Sequence, residues 1–105
     1  MLEKFNLDGK VVLVTGGGTG LGFAMVMALA QAGANVAIAG RRQGPIDEAA
    51  DAVRKVGTDS IAISADVSDS SQVDAMVNST LKHYGHIDAL INNAALNPKP
   101  KKNSN

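Results

Sequence analysis

The chain has 105 residues, enough for one domain, and its 10 basic and 10 acidic side chains cancel, leaving no net field to draw in nucleic acid or an anionic membrane. The absence of cysteine excludes disulfides, thiolate metal sites and a cysteine nucleophile, and with aromatic side chains confined to Phe5, Phe23 and Tyr84 the core must be aliphatic. The apolar runs are far too short to span a bilayer and the N-terminus, with Glu3 and Asp8, lacks a signal-peptide pattern, so a soluble cytoplasmic protein is expected.

In chain order, Val11 to Val14 is a β-branched run without polar alternation, which predicts a strand buried on both faces, as in a parallel sheet. The glycine-rich turn Thr15-Gly16-Gly17-Gly18-Thr19-Gly20-Leu21-Gly22 follows. Its glycines are spaced Gly-x-x-x-Gly-x-Gly at Gly16, Gly20 and Gly22. This is not Gly-x-Gly-x-x-Gly, and Phe23 stands where a Walker A loop needs lysine. Between a strand and a helix, such a turn lets backbone N–H groups and the helix dipole hold a pyrophosphate that side chains would otherwise block. Gly16 permits the sharp turn, Gly20 the close approach of backbone, and Gly22 the packing of helix near sheet. Gly18, Thr19 and Leu21 complete the candidate set.

Leu21, Ala24, Met25, Ala28, Leu29 and Ala32 recur at helical spacing, and Gly33 is a suitable stop. Val36 to Ala39 predicts a second buried strand. It ends in Gly40-Arg41-Arg42, where an NAD-binding unit would place an acid for the ribose 2′-hydroxyl. A carboxylate repels a 2′-phosphate and a guanidinium binds one through two hydrogen bonds. Arg41 and Arg42 therefore favour NADP over NAD. Pro45 suits the first turn of a helix, with Ile46, Ala49, Ala50, Val53 and Val56 as its apolar stripe and Gly57 as its end.

Ile61 to Ala65 predicts a third strand, followed by Asp66-Val67. The acid can accept a hydrogen bond from an adenine amino group, and the valine can pack on the ring. Ser68 is the expected N-cap of the next helix, with Asp69 in its first turn. That helix carries Val73, Met76, Val77, Leu81 and Tyr84 and closes at Gly85. Ile87 to Ile91 predicts a fourth strand. Asn92-Asn93-Ala94-Ala95 ends it: two amides that can bond backbone across a gap, then small residues that leave room for a ribose and nicotinamide. Asn97 to Asn105 is polar and holds two of the three prolines, so a domain over 1–97 with a disordered tail over 98–105 is expected. His83 and His86 lack a metal-ligand partner at a suitable spacing. Lys99, Lys101 and Lys102 have no aromatic residues among them and read as a solvated tail.

The alternation of strands and helices predicts an α/β Rossmann-type three-layer sandwich with a parallel sheet. Right-handed crossovers carry the chain outward from the first strand to the third and then back, so the expected order is 3-2-1-4, with strands 1 and 4 meeting at the switch point where such sheets bind ligands.

Together these motifs resemble the short-chain dehydrogenase/reductase family, whose cofactor half carries Thr-Gly-x-x-x-Gly-x-Gly, an Asp-Val after the third strand and Asn-Asn-Ala-Gly after the fourth. Thr15 to Gly22, Asp66-Val67 and Asn92 to Ala95 match in that order, with Ala95 where the family usually has glycine. The subgroup most similar is the 3-oxoacyl-carrier-protein reductase or gluconate 5-dehydrogenase type. The resemblance implies hydride transfer between NADP(H) and a carbonyl or alcohol, with cofactor contacts from Gly16, Gly18, Thr19, Gly20, Leu21, Arg41, Arg42, Asp66, Val67, Asn93, Ala94 and Ala95. It also implies a catalytic Tyr-x-x-x-Lys. Tyr84 is the only tyrosine and Asp88 stands four residues on, so no catalytic residue carries over. The expectation is a cofactor-binding fragment, inactive alone, with an exposed sheet edge that promotes self-association. The competing expectation is a dinucleotide-binding module without catalysis, or a product without function.

Overall fold

The computed structural model describes residues 6–93. In chain order these form β1 (Val11–Thr15), α1 (Gly20–Gln31), β2 (Asn35–Gly40), α2 (Gln43–Val56), β3 (Ser60–Ser64), α3 (Ser70–Tyr84) and β4 (Ala89–Asn92). The four strands make one sheet in the order β3-β2-β1-β4, and every pairing is parallel. This is the sandwich and the strand order that the alternation of elements predicts.

Side chains alternate between the two faces of a strand, and β1 shows what each face buries. Val12 and Val14 join Val36 and Ile38 of β2 under α1 and α2, which bring Val26, Ala30, Ile46, Ala49, Ala50 and Val53. Leu13 faces the other way with Ala37 and Ala39, beneath α3 and its Met76. A central strand sandwiched between helices has no face for water, hence its unbroken apolar run.

Several boundaries and faces differ from expectation. The inward face of α1 is Gly22, Val26 and Ala30, with Phe23, Met27 and Leu29 packed beside it. Leu21, Ala24 and Ala28 are exposed instead. This helix is apolar on nearly every side, so spacing alone does not select the face. Gly22 does, because it is the point of closest approach to the sheet. Val56 and Leu81 also emerge exposed, at helix ends. The N-cap of α3 is Asp69, which accepts from the Ser71 amide at 2.9 Å. Ser68 cannot take that role, because its amide and hydroxyl both donate to Asp66 Oδ1, at 3.0 and 2.7 Å. β3 begins one residue early because buried Ser60 satisfies its hydroxyl on the Val36 carbonyl at 2.7 Å.

β4 begins at Ala89 rather than Ile87. Asp88 makes the junction: its amide donates to the Val11 carbonyl at 2.8 Å, and its Oδ2 accepts from the Val11 amide at 2.8 Å. That bond holds the Asp88 carboxyl below its ordinary range. Gly33, Gly57 and Gly85 end their helices with positive φ, as expected. The boundary at 97/98 and the polar tail lie outside the described residues. Among the described residues no helix is long and apolar enough to cross a membrane, and no group of three or more acidic or histidine side chains could hold a metal.

Candidate functional site

The glycine turn joins β1 to α1, and its glycines serve two different needs. Gly16 and Gly20 have φ of +70° and +58°, a region that side chains disfavour. Gly17, Gly18 and Gly22 have ordinary backbone and are there for space. A methyl group on Gly22 would run into the Gly16 carbonyl and stand 2.7 Å from Asn93 Nδ2. On Gly17 it would meet Ile38 Cγ2 at 2.9 Å and Val26 Cγ2 at 3.0 Å. Beside Gly20 there is nothing within 4 Å, so the turn stays open there.

The amides at the end of β4 brace this turn. Asn93 Nδ2 donates to the Gly16 carbonyl at 3.1 Å, and the Thr15 hydroxyl donates to Asn92 Oδ1 at 2.8 Å. The sequence-level expectation of amides reaching backbone across the gap holds for Asn93, whereas Asn92 takes a side-chain hydroxyl. Both bonds span the switch point between β1 and β4.

Among the described residues, the start of α1 lacks a side-chain cap. Thr19 has extended backbone and no side-chain capping bond, and no acid stands in the first turn. The start of α2 is the same, with Arg42 at its N-cap position and no acid in its first turn. A helix start left this way keeps its backbone donors and its partial positive charge available for an anion.

A cavity of about 130 Å³ lies between these two helix starts, lined by Gly16, Gly18, Thr19, Gly40, Arg41, Arg42, Pro45 and Ile46. It unites the glycine turn with the arginine pair, motifs that lie on either side of α1 and β2 in the sequence. Both arginines are exposed, and neither guanidinium has a hydrogen-bond or ion-pair partner among the described residues. Gly20 and Leu21 sit at the rim of the same region, in the first turn of α1, with Leu21 64% exposed. Asp66 and Val67 follow β3 at the same edge of the sheet. Asp66 is engaged by Ser68, and its amide donates to Gln72 Oε1 at 2.8 Å. Val67 packs partly against the α3-side core. Ala94 and Ala95 lie outside the described residues.

Sequence reasoning missed Gly40, Pro45 and Ile46 as parts of this site. Pro45 stands three residues after Arg42, which places it near the arginines. Nothing local says that the first turn of α2 also reaches Gly18. Tyr84 and both histidines lie elsewhere, at the opposite end of the sheet. His83 Nε2 is 3.1 Å from Asp59 Oδ2, and His86 Nε2 is 3.0 Å from Asp88 Oδ2. Tyr84 is thus no part of the candidate site.

Comparison with known proteins agrees with this geometry. The family model described as short chain dehydrogenase matches residues 10–105. The short chain dehydrogenase/reductase astE of Aspergillus oryzae (strain ATCC 42149 / RIB 40) is 43% identical over 97 residues, covering 91% of this chain and 37% of that protein. The crystal structure of 3-ketoacyl-(acyl-carrier-protein) reductase from Brucella melitensis, complexed with NADH, superposes with a TM-score of 0.74 at 36% identity, over 81% of this chain and 34% of that one. This chain therefore spans about a third of the length of those two. The short-chain dehydrogenase/reductase homolog YusS of Bacillus subtilis (strain 168) is 42% identical, and there the match covers 87% of this chain and 84% of the relative. With a family match that runs through the glycine turn at the switch point and on to residue 105, this chain belongs to the short-chain dehydrogenase family.

Proposed function

We propose that this chain is the NADP-binding part of an oxidoreductase that moves a hydride between the cofactor and a carbonyl or alcohol substrate. The observation that carries the reading is the single cavity in which the glycine turn and Arg41-Arg42 face one another across two uncapped helix starts. The residues fit the group. Gly20 meets nothing within 4 Å, which leaves the turn open for a pyrophosphate, and Gly16, Gly18, Thr19 and Leu21 are assigned to it with Gly20. Unpartnered guanidinium groups at Arg41 and Arg42 suit a 2′-phosphate. Asp66 and Val67 are assigned to the adenine, and Asn93, Ala94 and Ala95 to the nicotinamide ribose side. Asn93 acts there at least by holding Gly16 in place. The cofactor, when bound, supplies the hydride. This chain's residues bind and orient it, and the residues that move the proton are assigned to the part of the relatives beyond this span.

The preference for NADP rests on Arg41 and Arg42 of this chain, whereas the Brucella reductase was solved with NADH. The likeness to that reductase supports the 3-oxoacyl-carrier-protein reductase subgroup for the whole protein. The sheet edge at β4, with Leu90 55% exposed, supports self-association of the isolated chain. A second reading, a binding module without turnover, draws on the Bacillus homologue, most of which this chain covers.

The test is calorimetric titration of the purified chain with NADP and NAD. The expected result is micromolar NADP binding, preferred over NAD by roughly one to two orders of magnitude, the worth of one charge-assisted contact. Arg41→Ala is expected to abolish the preference. A folded chain that binds neither nucleotide overturns the reading. A turnover assay with and without the remaining part of a relative then separates the two readings.

A further inference from the structure

Among the described residues, no bond of its own side chains holds the arginine pair in place. It sits on the lead-in to α2, with Arg42 directly before the first helical residue, Gln43. Where the first turn of α2 goes, the arginines go too. That turn is wedged between two glycines. A Cβ on Gly18 would stand 2.9 Å from Pro45 Cβ, 3.2 Å from the Pro45 carbonyl carbon and 3.3 Å from the Ile46 amide nitrogen. A Cβ on Gly40, the residue before Arg41, would stand 2.8 Å from Ile46 Cγ2. Ile46 is itself fully buried. Two of the three atoms facing Gly18 are helix backbone, which cannot swing aside as a side-chain tip can. Gly18 has ordinary φ, so the backbone does not demand glycine there. Only the approach of α2 does.

We propose that the contact of Gly18 with Pro45 and Ile46 is the spacer that sets how far the arginine pair stands from the phosphate turn. On this proposal the spacer fixes the preference for a 2′-phosphorylated dinucleotide. The inference rests on the NADP reading given above. The turn at Gly16 to Gly20 holds its phosphates from α1 and the end of β1, which the wedge does not move. The 2′-phosphate contact depends on α2. A bidentate guanidinium–phosphate pair is demanding in position, so a shift of a few tenths of an ångström in α2 weakens one contact and spares the other. Gly18, Pro45 and Ile46 are positioning residues in this scheme, acting through Arg41 and Arg42.

The test measures the ratio of NAD to NADP dissociation constants by calorimetry, with circular dichroism melts to confirm folding. Gly18→Ala, which pushes α2 away, is expected to cut the NADP preference roughly tenfold, with NADP affinity falling far more than NAD affinity. Pro45→Gly removes the nearest of those atoms, the Pro45 Cβ, without a clash, lets the first turn of α2 settle closer to Gly18, and is expected to lower the ratio as well, which covers a Gly18→Ala chain that does not fold. Gly44→Ala is the control. It lies in the same helix turn but meets nothing within 4 Å, and its ratio is expected to stay within about twofold of the parent. If the parent prefers NADP through Arg41 but both Gly18→Ala and Pro45→Gly keep its ratio, the spacer is overturned and the NADP reading stands. If the parent shows no preference, or Arg41→Ala leaves it unchanged, the NADP reading falls and the spacer with it.

Discussion

Gly22 shows how much of this site depends on one missing methyl group. Its position against the Gly16 carbonyl and Asn93 lets α1 start close to the sheet and leaves the turn braced from β4. In Gly22→Ala the clash is with backbone, so the helix start must move. We expect a loss of about 2–3 kcal/mol in stability, typical of overpacking against atoms that cannot yield, read from urea unfolding, together with loss of nucleotide binding. Unchanged stability would show that the turn has slack. Gly16, Gly20 and Gly22 were readable in the sequence because their spacing and their place between strand and helix are local. The same holds for Arg41 and Arg42 at the end of β2. Gly18 belongs to the candidate set read from the sequence, but the need for glycine at Gly17 and Gly18 comes from neighbours brought by the fold, Ile38 and Val26 for one and Pro45 and Ile46 for the other.

Elements were legible to the extent that their ends are marked by chemistry. Gly33, Gly57 and Gly85 each stop a helix in the left-handed region, and the sequence places all three. The inward face of α1 was not legible, because alanine, leucine and methionine occupy most of its sides and only Gly22 breaks the symmetry. At the end of α3, Tyr84 offers a probe of how this helix docks. Its hydroxyl is buried without a hydrogen bond of good geometry, next to the Asp59 carboxylate. Burial first, and that carboxylate second, push the phenol well above its ordinary value near 10. A raised folded value means that docking is fully supported below the unfolded value and loses support as pH climbs past it. As the chain has one tyrosine and no tryptophan, an alkaline absorbance titration reads this group alone. Phenolate is expected only together with loss of the helical dichroism signal, above about pH 10. Ionisation near pH 10 in a chain that stays folded would contradict the docking. Tyr84→Phe, which removes the unpaired hydroxyl, is expected to change stability by less than about 1 kcal/mol.

On the scale of the whole molecule, the strand order followed from handedness and connection rules alone, and the sheet obeys them. What those rules do not supply is the covering of the outer strand. β4 presents Ala89, Leu90, Ile91 and Asn92, a row without lysine, proline or bulge to discourage pairing. Exposed Leu21, Ala24 and Ala28 on α1 add apolar surface, and zero net charge provides no repulsion between copies. The isolated 105-residue chain is therefore expected to associate as its concentration rises, with sedimentation velocity showing a shift from monomer to dimer or larger species. A single monomeric boundary across a hundredfold range would count against this.

The brace between Asn93 and Gly16 joins residues 77 positions apart, and that separation has a temporal meaning. Contacts this distant close late, because the intervening chain must be ordered first. During synthesis the glycine turn and both arginines leave the ribosome long before residue 93 does. The glycine turn then stands without its support while most of the domain is being made. On the proposed function, competence to hold a nucleotide is expected to arrive with the fourth strand, so ligand capture would report completion of the sheet rather than the folding of its first half.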